Sequence, residues 1–141
     1  MTIGEQAARS AATVMVVDDE PRFCQLLERI LLEDGYRVVS ATSGRQALML
    51  AREAEPQLVL LDVVMPEMDG IETLRRLRTM EKKSVVVMLT AHGTVETARE
   101  AMLLGAYDYL TKPFSLELLR SVLREGIEER SHGRRDRACA P

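Results

Sequence analysis

The sequence predicts one α/β domain: a five-stranded parallel sheet, wound on both faces by helices in a (βα)5 repeat. Three observations predict it. Short continuous apolar runs alternate five times with amphipathic stretches along the 141 residues. The runs are apolar at nearly every position, as in strands buried on both faces, and short links between elements imply right-handed crossovers. Hydrophobic residues make up 46% of the chain but aromatic ones only 4%, with no Trp, so the core is aliphatic and fits one domain.

Each element has its own local reasons. Residues 13–18 (TVMVVD) form an apolar run closed by an acid. Residues 21–32 follow as a helix, with Phe23, Leu26, Leu27, Ile30 and Leu31 at helical spacing, Pro21 in the first turn and Gly35 at the end. Residues 36–41 (YRVVSA) are a second strand, and 43–54 a helix capped by Ser43 or Thr42. Residues 57–62 (QLVLLD) are again apolar and again end in Asp. The stretch 65–70 (MPEMDG) has the composition of a loop, and Asp69–Gly70 reads as turn chemistry alone. Ile71, Leu74 and Leu77 mark a third helix. Residues 84–90 (SVVVMLT) give the strongest strand signal. A helix over 94–105 turns Val95, Ala98, Ala101 and Met102 inward and stops at Gly105; a fifth strand covers 107–111. The last helix runs from 115 to about 130, with Leu118, Leu119 and Val122 on one face. Met49, Met88 and Met102 read as packing residues.

The ends of the chain differ. Residues 1–12 are small and polar and read as a flexible leader. Residues 131–141 carry several arginines without periodicity and read as a disordered basic tail, a solvated end rather than a nucleic-acid arm. With no further domain after the last helix, the chain reads as a single-domain protein more than as one piece of a longer one. Nineteen basic against 22 acidic residues, net −3, point to neither nucleic acid nor membrane. No apolar run spans a bilayer, the N-terminus lacks a signal-type apolar segment, and Cys24 and Cys139 suggest neither a disulfide framework nor a metal site. A soluble, cytoplasmic protein is expected.

The polar residues that close the strands carry the chemistry. They are Asp18 and Asp19 after the first strand, Asp62 after the third, Thr90 after the fourth and Thr111–Lys112 after the fifth. In a parallel sheet these ends share one rim, and ligands bind there where the strand order reverses. If the order is 2-1-3-4-5, the first and third strands flank that crevice. Three carboxylates at close quarters need a proton, a cation or Lys112 to neutralise them. Oxygen-only ligands select a hard cation such as Mg2+, which takes one or two carboxylates and fills its remaining positions with water and phosphate. Asp18 and Asp19 are adjacent, so one would touch the ion directly and the other through water. Asp62 can be ligand and nucleophile at once, and a carboxylate attacking phosphorus yields an acyl phosphate.

At this point the sequence resembles the receiver domains of bacterial response regulators, in motifs that lie in order at strand ends: VVDDE (16–20), LLDVVMPEMDG (60–70), LTAHG (89–93) and GAYDYLTKPF (105–114). The resemblance covers about residues 13–128, within a receiver domain over 13–130, and is strongest to receivers of the nitrogen-regulation class of transcription activators. It implies a flavodoxin-like sheet and a two-component phosphorelay function. It implies that Asp62 is the phosphoacceptor and that Asp18 and Asp19 bind Mg2+ with the backbone carbonyl of Val64. It makes Thr90 the switch hydroxyl, Lys112 the phosphate-contacting ammonium and Tyr109 the aromatic switch residue, and it implies a cis peptide before Pro113.

By the same resemblance the donor is a phosphohistidine on a sensor histidine kinase or phosphotransfer protein. It would dock on the first helix near Arg22, Phe23 and Leu26 and on the Pro113–Phe114 loop. The output surface is the fourth helix, fifth strand and fifth helix, with homodimerisation there as one use. No direct nucleic-acid or membrane contact is implied, and no enzymatic turnover beyond the domain's own phosphorylation and dephosphorylation. Val64 and His92 occupy positions that vary within the family; Val64 offers no group to orient water, which suggests a long-lived phospho-form.

Taken singly, each residue has a plainer reading. Asp62 would be a turn residue, Thr90 a β-branched strand residue, Lys112 surface charge, Tyr109 core, His92 a solvated loop residue and Cys24 inert. The convergence of Asp18, Asp19, Asp62 and Lys112 on one rim outweighs those readings. The alternative function is a phosphorylation-independent interaction module with the same fold. A nucleotide-binding enzyme is disfavoured because neither GxGxxG nor a P-loop follows the first strand. A magnesium phosphohydrolase is disfavoured because the acids come from two strands and the chain has no room for a substrate cap.

Overall fold

The computed structural model describes residues 12–80 and 83–131. Residues 1–11 of the expected leader and residues 132–141 of the expected tail, Cys139 among them, therefore lie outside the described residues, while Ser131, expected in the tail, ends the last helix. Among the described residues ten elements alternate: β1 (Thr13–Val17), α1 (Pro21–Glu33), β2 (Arg37–Ala41), α2 (Gly44–Ala54), β3 (Leu58–Leu61), α3 (Gly70–Met80), β4 (Val85–Thr90), α4 (Val95–Leu103), β5 (Asp108–Thr111) and α5 (Leu116–Ser131). The strands pair in parallel in the order β2-β1-β3-β4-β5. Val14 sits opposite both Val38 and Leu58, Leu58 opposite Val85, and Val87 opposite Asp108. The expected fold class and strand order are both present.

The alternation of side chains along each strand splits the core into two layers. Val14, Val16, Leu58, Leu60, Val85 and Val87 face α1 and α5, where Leu27, Leu31, Leu119 and Leu123 meet them. Met15, Val17, Val59, Leu61, Val86 and Met88 face the other way, onto Ala47, Leu74, Leu77 and Ala101 of α2, α3 and α4. Ala12, expected at the end of the leader, is buried, and its carbonyl accepts from Arg37 N.

Helix termini follow local chemistry. Pro21 opens α1, and Gly35 follows its C-cap with φ 96°. Ser43 Oγ accepts from Gln46 N at 3.1 Å to cap α2. Thr94 and Thr97 form a reciprocal capping box at α4.

Several inward assignments do not hold. Val95 is 78% exposed and Met102 43%, leaving Ala101 as the buried residue of α4. Val95 and Met102 belong to neither core layer. Leu118 is also exposed: α5 buries Leu119, Val122, Leu123, Gly126 and Ile127, a stripe rotated from the expected one. On α1, Leu26 is exposed while Cys24, Leu27 and Leu31 are buried. Met88 packs fully, but Met49 is 62% exposed. Among the described residues, no helix is long and apolar enough to cross a membrane.

Candidate functional site

The backbone ladder positions the acids. Asp18 N donates to Ala41 O at 3.1 Å, and Asp62 N donates to Val17 O at 3.0 Å. Each Asp thus continues its strand's hydrogen bonding just past the end, at the central β1–β3 pair where the chain crosses to opposite faces. Asp18 and Asp62 are buried while Asp19 is exposed. One carboxylate oxygen from each of the three lies within 4.8 Å of the others.

Asp18 is held at both oxygens: Oδ1 accepts from Glu20 N at 2.9 Å and Oδ2 from Lys112 Nζ at 2.7 Å. Lys112 N in turn donates to Thr90 O at 2.8 Å, and the Lys112–Pro113 peptide is cis. Thr90 is fully buried, and its hydroxyl accepts from His92 N at 3.1 Å. Val64 is exposed, and its N–H points to Asp62 Oδ1 at 3.4 Å.

Gly70 has a part that turn chemistry alone does not describe. A Cβ there would lie 2.0 Å from Asp62 O, and Gly70 N donates to Val63 O at 2.7 Å. The start of α3 therefore backs directly onto the Asp62–Val63 backbone, an approach open only to glycine. Asp69 Oδ1 caps the same helix, accepting from Glu72 N at 2.9 Å.

Burial, and then the Asp18 charge, hold the Asp62 carboxyl above the ordinary carboxylate range; Lys112, the Val64 N–H and the Thr90 hydroxyl act against that rise. Cys24 lies beneath Asp18, its Sγ 3.3 Å from Asp18 O, and burial, followed by Asp18, pushes the thiol up to about 11. A thiol raised in this way is mostly protonated at neutral pH.

The acids open into a cavity of about 550 Å³ lined by Asp18, Asp19, Asp62, Val64, His92 and Lys112. A larger hollow of about 840 Å³ lies at the opposite rim, among Pro56, Gln57, Lys83 and Ser84. It gathers no set of acids, so chemistry rather than volume identifies the functional cavity. The candidate ligand atoms of Asp18, Asp19 and Asp62 are all carboxylate oxygens, and their crowding favours a cation. Both features fit Mg2+.

Asp18, Asp19, Asp62, Thr90 and Lys112 are thus together. Tyr109 is not with them: half-buried, its hydroxyl lies 2.9 Å from Thr97 Oγ1. A Cβ on Gly93 would lie 2.1 Å from that hydroxyl, so the loop after β4 makes room for the tyrosine by using glycine. His92 stands exposed at the cavity's mouth. Sequence reasoning missed Glu20, Gly70 and Thr97. Only Thr97 had a usable signal, the spacing from Thr94 that allows a capping box.

Fold and site together define a doubly wound module with an acidic pocket at the C-terminal rim of its sheet. The chain belongs to the response regulator receiver domain family of two-component systems: the family's sequence pattern matches residues 14–124. It is 44% identical over 114 residues to the transcriptional regulatory protein ZraR of Klebsiella oxytoca, covering 81% of this chain and 26% of that protein. It is 33% identical over 119 residues to sporulation initiation phosphotransferase F of Bacillus subtilis (strain 168), covering 84% and 96%. The crystal structure of Vibrio cholerae chemotaxis protein CheY4 superposes with a TM-score of 0.74 at 34% identity, covering 81% and 97%. The resemblance to receivers of transcription activators holds, and this chain spans about a quarter of the length of several curated relatives it matches.

Proposed function

We propose that Asp62 accepts a phosphoryl group from a phosphohistidine on a sensor histidine kinase or phosphotransfer protein. The observation that carries this is the convergence of three carboxylate oxygens within 4.8 Å beside the Lys112 ammonium. An Asp62 oxygen attacks phosphorus in line with the departing imidazole nitrogen. The O–P bond forms as the N–P bond breaks, and the nitrogen leaves with its electron pair. Such transfer depends mainly on positioning and charge neutralisation. Lys112 and the Thr90 hydroxyl supply donors for the phosphoryl oxygens. Asp18, Asp19, Asp62 and the Val64 carbonyl would hold Mg2+, which supplies positive charge to the transferring group. No separate base is needed, because a carboxylate is already the nucleophile.

Once modified, Asp62 draws Thr90 toward the phosphoryl group, and Tyr109 repacks. This biases an existing equilibrium by binding one state better. A near-complete shift takes about 5 kcal/mol of differential affinity, of which charge-assisted hydrogen bonds supply a large part. The output surface is α4, β5 and α5, where Val95, Leu103 and Leu118 stand exposed; a partner or second copy docks there. The domain works as a cytoplasmic signalling module whose chemistry is its own phosphorylation and dephosphorylation. With Val64 and His92 at the mouth, the phospho-form is long-lived, and a lifetime of seconds would overturn that part.

The test is intact-mass analysis after incubation with acetyl phosphate, with and without MgCl2. Wild type should gain one phosphoryl group only with magnesium, and Asp62→Ala should gain none. Equal modification of both would overturn the reading. No modification of wild type by acetyl phosphate or a histidine phosphodonor would favour the phosphorylation-independent interaction module.

A further inference from the structure

Lys112 has two neighbours of different kinds. Its ammonium lies 2.7 Å from Asp18 Oδ2 and 3.9 Å from the centroid of the Phe23 ring on α1. Phe23 is itself fixed edge-to-face against Phe114, with centroids 6.3 Å apart and planes at 86°. Phe23 and Lys112 line both the acidic cavity and an adjoining apolar groove of about 430 Å³, and so form part of the wall between them.

We propose that Phe23 is a positioning residue for Lys112, holding the ammonium over the acidic pocket by a cation–π contact. This rests on the phosphoacceptor reading of the site. A lysine side chain is a flexible four-carbon stem carrying three donors. The Asp18 contact uses one donor and leaves the stem free to swing about that bond. An aromatic face on the other side removes that freedom and attracts the charge without consuming a donor. A donor is then left for a phosphoryl oxygen. Because Phe114 braces the ring, the geometry is set before any phosphoryl group arrives, and pre-set geometry is what a positioned phosphoryl transfer needs. An aliphatic residue of similar bulk would fill the space but lack the quadrupole that attracts the ammonium.

The test uses the whole chain with acetyl phosphate and MgCl2, following the rate of Asp62 modification and the proton shifts of the Lys112 ε-methylene. Phe23→Leu should slow modification about tenfold and abolish the upfield ring-current displacement of those protons. Phe23→Tyr should restore both. Replacing Phe23 with mono-, di- and trifluorophenylalanine keeps the ring's shape while weakening its face. The rate should fall stepwise along that series, and the series should lose its effect in a Lys112→Met background. A flat fluorine series, or a Phe23→Leu variant with wild-type rate and shift, would overturn the proposal alone. A wild type that is never modified would overturn the phosphoacceptor reading and this proposal with it.

Discussion

Replacing Asp62 with Asn should stabilise the metal-free protein even as it removes the proposed acceptor. The substitution keeps the side chain's shape and removes one charge from a buried cluster. Two carboxylate oxygens no more than 4.8 Å apart repel by about 3.5 kcal/mol at an effective dielectric constant of roughly 20. Lys112, paired to Asp18 at 2.7 Å, cancels part of that, leaving an expected net gain of about 1–2 kcal/mol. The assay is urea unfolding at neutral pH in EDTA. With a slope of about 2 kcal/mol per molar, the midpoint should rise by roughly 0.5–1 M. The sign with pH follows from the raised Asp62 carboxyl. A group titrating higher when folded leaves stability intact below its unfolded value and costs stability as pH rises through its folded value. The advantage of Asp62→Asn should therefore be absent in acid and grow toward neutrality. Magnesium should narrow it, since an ion at ten times its dissociation constant stabilises wild type by about 1.4 kcal/mol. An Asp62→Asn variant no more stable than wild type in EDTA at neutral pH would refute the crowded-acid picture.

Three further outcomes are expected. Gly70→Ala drives a Cβ to 2.0 Å from Asp62 O and should cost more than about 3 kcal/mol in urea unfolding, because backbone rather than a side-chain tip must yield. Gly93→Ala displaces the Tyr109 hydroxyl at a cost of about 1–2 kcal/mol; the Tyr109 ring resonances should shift, while Asp62 modification stays within about twofold of wild type. Cys24, buried and pushed up to about 11, should resist iodoacetamide at pH 8 in the folded protein, by peptide mapping, and react when urea unfolds it.

Much of the fold is legible in the sequence because sheet burial leaves a one-dimensional trace. Runs such as VMVV (14–17) and LVLL (58–61) are apolar at each position because both faces are covered. The acids that end them mark the rim where a crevice opens. Order and register are different: the pairing of β1 with both β2 and β3 comes from the family resemblance, not from periodicity. Periodicity also cannot say how deep a helix sits. Val95 and Met102 share an apolar stripe with Ala101, yet Ala101 alone of the three is buried. Contacts between distant segments leave no trace at all. Phe23 over Lys112 is one; another is Arg78, whose Nη2 donates to Ser84 O at 2.9 Å and Gly105 O at 3.2 Å, tying α3 to the starts of β4 and β5. The acidic trio was readable because strand ends converge by topology, whereas Gly70 was not, because a close approach shows only in three dimensions.

The most direct measurement traps the modified residue chemically. Borohydride reduction of a protein phosphorylated with acetyl phosphate and magnesium turns an aspartyl phosphate into homoserine, which peptide sequencing by mass spectrometry locates. The account predicts homoserine at position 62 and nowhere else. Homoserine at another aspartate, or an unreduced chain carrying its phosphoryl group on a hydroxyl, would contradict it.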